Sequence, residues 1–245
     1  MREPIWMNPA SGKILVGGHR GASAVAPENT VSAFEAAIAA GADFIETDLR
    51  LTRDGVPVAF HDGDLRRLAG DPRQVSELDM DELRILHPGI VAMADVIDLV
   101  GERASILLDT KLYEPAALER CIAVLGARLD SGRMAFGVRS LDVFDVIHVQ
   151  LPQCPTLGLF ADIGDYPELA ARGGNWARLW EKDASAENIS NLQRLGLKVI
   201  IMTGQPTDGS VGLIERDVLA NLCALGPDAV MLNDPSLAIE VVAQL

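Results

Sequence analysis

The chain has 245 residues, 49% of them apolar, and a formal net charge of −14. The length suits one large α/β barrel or two small domains, and with aromatics at only 4% the core must be built from Ala, Val, Leu and Ile. So acidic a chain is a poor general binder of nucleic acid or of an anionic membrane, and an anionic substrate would need a local cationic site, most simply a divalent metal.

In chain order, short apolar runs predict strands at KILVGG (13–18), FIETDLRL (44–51), VPVAF (56–60), SILLDTK (105–111), MAFGV (134–138), PTLGLF (155–160), ARLWE (177–181), KVIIM (198–202) and DAVMLN (228–233). Between them, helical periodicity predicts helices over 30–40, 92–101, 115–129, 141–149, 186–195, 213–225 and 235–242, with a weaker one over 166–171. Pro115 and Pro235 suit a first helical position, and Gly41, Gly196 and Gly226 stand where helices should stop. VPVAF follows Asp54-Gly55, a strong hairpin turn, so it is expected to fold back antiparallel on the strand before it. Setting it aside leaves eight strands alternating with helices, the pattern of a (β/α)₈ barrel. Residues 62–91 are polar and break the rhythm. They read as a small insertion over the barrel mouth, with a short helix near 79–86, in a single domain spanning 1–245.

Cys121, Cys154 and Cys223 have neither metal-ligand nor redox spacing and read as small buried hydrophobes. The N-terminal stretch shows no apolar signal core, and no apolar run is long enough to span a membrane, so a cytoplasmic location is expected.

In a parallel barrel the C-terminal strand ends share one mouth, where the chemistry sits. His19 and Arg20 follow the first strand. Glu46 and Asp48 are two apart on the second and so point to one face; Asp109 and Lys111 repeat that spacing, and His61 closes the hairpin's return strand. Three carboxylates converging in a half-buried mouth are hard to keep ionised without a cation, which points to a divalent ion such as Mg²⁺ or Ca²⁺ on oxygen ligands. Two histidines could then bracket a substrate held there.

These residues, in this order, resemble the glycerophosphodiester phosphodiesterase family. The match runs through HRG (19–21), PENT (27–30), GADFIETDLRLTRDG (41–55) and AFHD (59–62), with a weaker DTK (109–111), and beyond that rests on strand and helix order. The resemblance implies a (β/α)₈ barrel with a small insertion, one divalent metal (Mg²⁺ or Ca²⁺, Mn²⁺ also admissible), and hydrolysis of small-molecule glycerophosphodiesters to glycerol 3-phosphate and an alcohol. It implies His19 and His61 as the acid/base pair, Glu46, Asp48 and Asp109 as metal ligands, and Arg20 and Lys111 on phosphate. Which histidine is acid and which base stays open, as do the alcohol and the oligomeric state. Alternative readings are a related barrel phospholipase acting on a lipid phosphodiester, and a non-catalytic barrel that binds glycerophosphodiesters.

The chain departs from the family pattern at three places. Asp109 stands where a glutamate is usual, Met202-Thr203-Gly204-Gln205 replaces Trp-Thr-x-Asn, and Asn233-Asp234-Pro235 replaces Thr-Asp-x-Pro. The last two are expected to bear on the alcohol pocket. His87 and His148 read as structural or exposed. Trp180 reads equally as cavity wall or as core, while Glu28, Asn29 and Thr30 read as loop brace and helix cap.

Overall fold

The structure is a computed structural model that describes residues 4–7, 12–129 and 132–245. Much of the N-terminal stretch read for a signal core therefore lies outside the described residues. Eight parallel strands form the barrel: β1 (Leu15–Gly18), β2 (Phe44–Leu51), β3 (Ser105–Thr110), β4 (Met134–Val138), β5 (Thr156–Gly158), β6 (Trp176–Trp180), β7 (Lys198–Met202) and β8 (Ala229–Leu232). Each pairs with the next, and β8 closes on β1, with Leu15 opposite Ala229 and Gly18 opposite Leu232.

A helix follows each strand: α1 (Val31–Ala40), α2 (Met93–Val100), α3 (Pro115–Leu125), α4 (Leu141–Gln150), α5 (Tyr166–Ala171), α6 (Ala186–Arg194), α7 (Arg216–Ala224) and α8 (Pro235–Val242). Their starts are written locally. Thr30, Ser140 and Ser185 each accept a hydrogen bond from a first-turn amide, Asp234 accepts two, and Pro115 and Pro235 occupy opening positions. Two helices are shorter than their periodicity suggested: α3 tightens into a 3₁₀ turn at Gly126–Arg128, and α7 begins at Arg216 rather than Leu213.

The return strand of the hairpin (Pro57–Ala59) pairs antiparallel with β2, as expected, and also with a two-residue strand at Val91–Ala92. Between them, residues 62–91 form a small hairpin (Asp64–Leu65 with Asp71–Gln74), a 3₁₀ turn and a helix at Met80–Leu86. This segment is less polar inside than its composition suggests. Leu65, Val75, Leu78, Met80, Leu83 and Ile90 are buried against Val58 and Phe60 as a cluster of their own.

Inside the barrel, inward positions change character with height. The floor holds Leu15, Phe44, Leu107, Ala135, Leu157, Trp176, Ile200 and Ala229, closed from below by Trp6. Trp6 meets Trp176 edge-on at 5.5 Å and Phe44 at 5.0 Å, and both indole N–H groups donate to backbone carbonyls. Above the floor the same strands carry Glu46, Asp48, Asp109 and Arg178. No helix among the described residues is long and apolar enough to cross a membrane.

Candidate active site

A cavity of about 280 Å³ opens at the C-terminal strand ends, lined by His19, Arg20, Glu46, His61, Asp109, Lys111, Arg139 and Arg178 and by an apolar wall including Leu159, Trp180, Met202 and Met231. Six of the seven residues singled out for chemistry line it, and Asp48, the seventh, lies buried directly behind. A polar groove lined by Arg50, Asp62, Asp64, Gln74 and Tyr113 adjoins it, sharing His61, Lys111 and Arg139. The 62–91 segment lines that groove beside the mouth and contributes no residue to the main cavity's lining.

The period-two spacing on β2 and the register of its partner bring the carboxylates together. Asp48 stands opposite Asp109 across β2 and β3. Glu46, Asp48 and Asp109 each offer an oxygen within 4.8 Å of the others. Glu46 is 2% exposed and Asp48 0%. Burial, with the charges of Asp48 and Asp109 beside it, raises the Glu46 carboxyl well above its ordinary pKa. Burial also pushes Asp48 up, but Lys111 and Arg20 outweigh it and hold that carboxyl well below the usual range. For Asp109, Lys111 and Arg139 likewise outweigh burial. Lys111 Nζ bridges the two aspartates, 3.0 Å from Asp48 Oδ1 and hydrogen-bonded to Asp109 Oδ2. These oxygens suit a hard divalent cation. The raised Glu46 carboxyl, crowded by the charges of Asp48 and Asp109, marks the place where such a cation would relieve a deficit.

The PENT loop contributes more than a cap. Thr30 caps α1 as expected, but Asn29, held at a φ of 56°, turns its side chain onto β2. Asn29 Nδ2 donates to Asp48 Oδ2 at 2.8 Å, and its Oδ1 accepts from the Thr47 hydroxyl and the Asp48 amide. Arg20 also has a positive φ, 55°, which lets its backbone N–H donate to Glu46 Oε2 (2.8 Å) while its guanidinium meets Glu28 (3.0 Å).

Each histidine has its Nδ1 fixed. His19 Nδ1 lies 2.8 Å from Asn233 Oδ1; because Asn233 Nδ2 donates to the Val211 carbonyl, the amide oxygen faces His19 and the imidazole carries its proton on Nδ1. Burial, helped by the neighbouring Arg20 charge, pushes His19 down to about 4, so it is neutral near pH 7 with Nε2 free to accept. His61 Nδ1 lies 2.7 Å from Asp62 Oδ1. Asp62 is in turn held by Arg67 Nε at 2.7 Å, and Arg67 also binds Glu28 twice. The insertion's Arg67 therefore ties together the partners of His61 and Arg20. Burial lowers His61 as well, although Asp48 pulls it upward.

Sequence reasoning missed Arg139, Arg178 and the role of Asn233. Arg139 donates from Nε and Nη2 to the two oxygens of Asp109, at 3.2 and 2.6 Å. Asn233, expected to bear on the alcohol pocket, positions His19 instead; Met202 does line the cavity, but Gln205 does not. Strand alternation carried the signal for Arg178, since Trp176, Arg178 and Trp180 are two apart on β6 and share the inward face, whereas Arg139 lies one residue beyond the end of β4 and is placed by its contact with Asp109. His87 meets Phe60 edge-on and His148 stacks on Phe144, both away from the cavity. The three cysteines are buried and unpaired with one another.

The chain is 28% identical to a glycerophosphodiester phosphodiesterase of Bacillus subtilis over 174 residues, 60% of this chain and 59% of that protein. It is 35% identical to the glycerophosphodiester phosphodiesterase of Caldanaerobacter subterraneus over 102 residues, 37% of this chain and 42% of the relative. The matches thus span less than two thirds of these relatives' lengths. Among solved structures, an Oleispira antarctica phosphodiesterase in complex with sn-glycerol-3-phosphate aligns over 95% of this chain and 98% of its own, with a TM-score of 0.84 at 20% identity, a likeness of fold. The Glycerophosphoryl diester phosphodiesterase family model matches residues 19–237, nearly the whole barrel, and the chain belongs to that family.

Proposed function

We propose that the chain is a metal-dependent hydrolase that splits glycerophosphodiesters into glycerol 3-phosphate and an alcohol, with residues 1–245 acting as one catalytic unit. The observation that carries this reading is the pair of imidazoles lining one cavity, each with Nδ1 fixed by an oxygen acceptor, beside three clustered carboxylates. A binding barrel would have no need of two oriented imidazoles. The family's phosphodiesterases and the product-bound relative support the same substrate class.

Glu46, Asp48 and Asp109 would hold one divalent ion, Mg²⁺ or Ca²⁺ by donor chemistry. When bound, it supplies Lewis-acid stabilisation of charge on a phosphoryl oxygen. Arg20 offers a planar fork of donors and Lys111 a point charge to the phosphate; both stand ready in the cavity, with Arg20 Nε buried and lacking an aligned acceptor. His19, neutral with Nε2 free, accepts a proton from the attacking water, whose oxygen bonds to phosphorus as the bond from phosphorus to the alcohol oxygen breaks. His61, with Asp62 behind Nδ1 to stabilise an imidazolium, delivers a proton to the departing alkoxide. The glycerol side is then retained as the phosphomonoester and the alcohol leaves protonated.

The test is release of glycerol 3-phosphate from glycerophosphocholine and glycerophosphoinositol, with and without divalent metal. Turnover of at least one diester, lost in excess chelator and restored by Mg²⁺, Mn²⁺ or Ca²⁺, is expected. Full turnover in chelator removes the metal from the reading, and no turnover under any metal removes the hydrolase.

A further inference from the structure

Arg178 is not accounted for by this chemistry. It sits in the middle of β6, its side chain inside the barrel between Trp176 and Trp180, and is only 5% exposed. Its guanidinium lies over the Trp180 ring, 4.1 Å from the centroid. Nη2 donates to the Phe160 carbonyl at 3.2 Å, while Nη1 is buried with no partner among the described residues. The other cations lining the cavity are compensated: Arg20 by Glu28 and Asp48, Lys111 by Asp48 and Asp109, and Arg139 by Asp109. Arg178 has no carboxylate in ion-pair contact among the described residues; burial and the charge of Arg139 lower its pKa, while Tyr166 and, from beyond contact, Asp109 and Asp183 offset only part of that effect. A buried cation without a contacting carboxylate, and with one nitrogen unpartnered, is costly and persists where something anionic arrives to pair with it.

Topology says which wall of the cavity Arg178 stands on. In a ring of eight strands β6 lies across the barrel from β2, which carries Glu46 and Asp48. With the phosphodiester between Arg20 and Lys111, the opposite wall of Leu159, Trp180 and Met202 faces a remaining part of the substrate, and Arg178 is set in that wall. The stacked indole holds the planar fork of donors in place, the arrangement suited to phosphate or carboxylate.

We propose that Arg178 is a specificity residue that recognises an anionic group, phosphate or carboxylate, on the alcohol half of the diester, so that the enzyme favours anionic alcohols over neutral or cationic ones such as choline. The inference rests on the hydrolase reading above and narrows its substrate class.

Glycerophosphoinositol and glycerophosphoinositol 4-phosphate differ only by one phosphate on the alcohol and form the test pair. The wild-type protein should show kcat/KM at least about tenfold higher for the phosphorylated diester, equivalent to roughly 1.4 kcal/mol. Arg178→Met should bring the ratio near one, and Arg178→Lys should retain part of it, with thermal unfolding confirming that each variant is folded. A wild-type ratio near one overturns the proposal. So does an equal fractional loss on both diesters in Arg178→Met, which would place the guanidinium on the shared phosphodiester or in barrel packing. If Arg178→Met does not fold, the Arg178→Lys ratio and the wild-type ratio decide. Turnover of glycerophosphocholine with neither inositol diester turned over overturns the proposal but not the hydrolase reading; should none of the three be turned over, the hydrolase reading fails, and calorimetry decides the subsite separately. Inositol 4-phosphate should bind the wild type and bind Arg178→Lys several-fold more weakly, with inositol not binding either; equal affinity for both proteins overturns it.

Discussion

On β2, β3 and β6 the inward residues of the barrel floor are Phe44, Leu107 and Trp176; one or two steps further along the same strands they are Glu46 and Asp48, Asp109, and Arg178. Both levels are buried, and they differ in what burial does. At the floor, apolar and aromatic surface leaves water at a gain of roughly 25 cal/mol per Å², and both indole N–H groups are satisfied. At the mouth, burial works against the fold. It drives the Glu46 carboxyl toward its neutral form, removes the charge from His19, and leaves Arg178 Nη1 without a partner among the described residues. The floor holds the barrel closed, and the mouth stores unmet charge that a metal and an anionic substrate would satisfy.

The sharpest way to break this division is to remove the imidazoles. His19→Ala and His61→Ala should each lower kcat by about 10² to 10⁴, the scale of general acid–base catalysis, with circular dichroism unchanged. Turnover near that of the wild type in either variant would take that histidine out of the proton transfers. Trp6→Ala applies the same logic to the floor. The large cavity left between Phe44 and Trp176 should cost about 3–5 kcal/mol in denaturant unfolding, while kcat of the folded fraction stays within a few-fold of wild type.

The division also explains what was legible in the sequence. Strand and helix order could be read because each element carries its own signals: apolar runs, the Asp54-Gly55 turn, and Thr, Ser and Pro at helix starts. The carboxylates, histidines and Lys111 could be read because period-two spacing and strand-end position are local properties. Asn233 and Arg67 could not, since what they do depends on partners 214 and 39 residues away, His19 and Glu28. Trp6 was opaque for the same reason: its role is set by Trp176, 170 residues on. Arg178 is a different case. The alternation in WARLW would have turned it inward, and starting the strand at Ala177 instead of Trp176 obscured that Trp, Arg and Trp share a face.

A pH experiment tests whether the mouth costs stability. His19 is held at about 4 in the folded protein, against about 6.5 when unfolded. Below pH 6.5 the unfolded chain takes up a proton that the native state refuses. His19 therefore erodes stability as pH falls from 6.5 toward 4, by about 2 kcal/mol between pH 7 and pH 5. His19→Gln, which cannot titrate, should lose correspondingly less over that interval in denaturant titrations. Identical pH slopes for the two proteins would mean that His19 takes up its proton as readily folded as unfolded.

The smallest effect separates holding a histidine from being one. Gly212 has a φ of 81°, and a Cβ there would fall 1.9 Å from Asn233 Oδ1, the atom that fixes His19 Nδ1. Gly212→Ala must therefore displace the Asn233 amide, on top of the strain of a side chain at positive φ. His19 would keep its place at the end of β1, where its backbone N–H donates to the Leu232 carbonyl, but would lose the acceptor that selects the Nδ1-protonated tautomer. The expected result is a fall in kcat of about tenfold, smaller than for His19→Ala, with KM little changed, because the tautomer affects proton transfer more than binding. Asn233→Asp separates the tautomer from the strain. It restores an acceptor opposite Nδ1 and adds a negative charge that raises the His19 pKa, so the acidic limb of the kcat/KM profile should move to higher pH. An acidic limb that stays in place in Asn233→Asp would show that Asn233 does not control the protonation of His19.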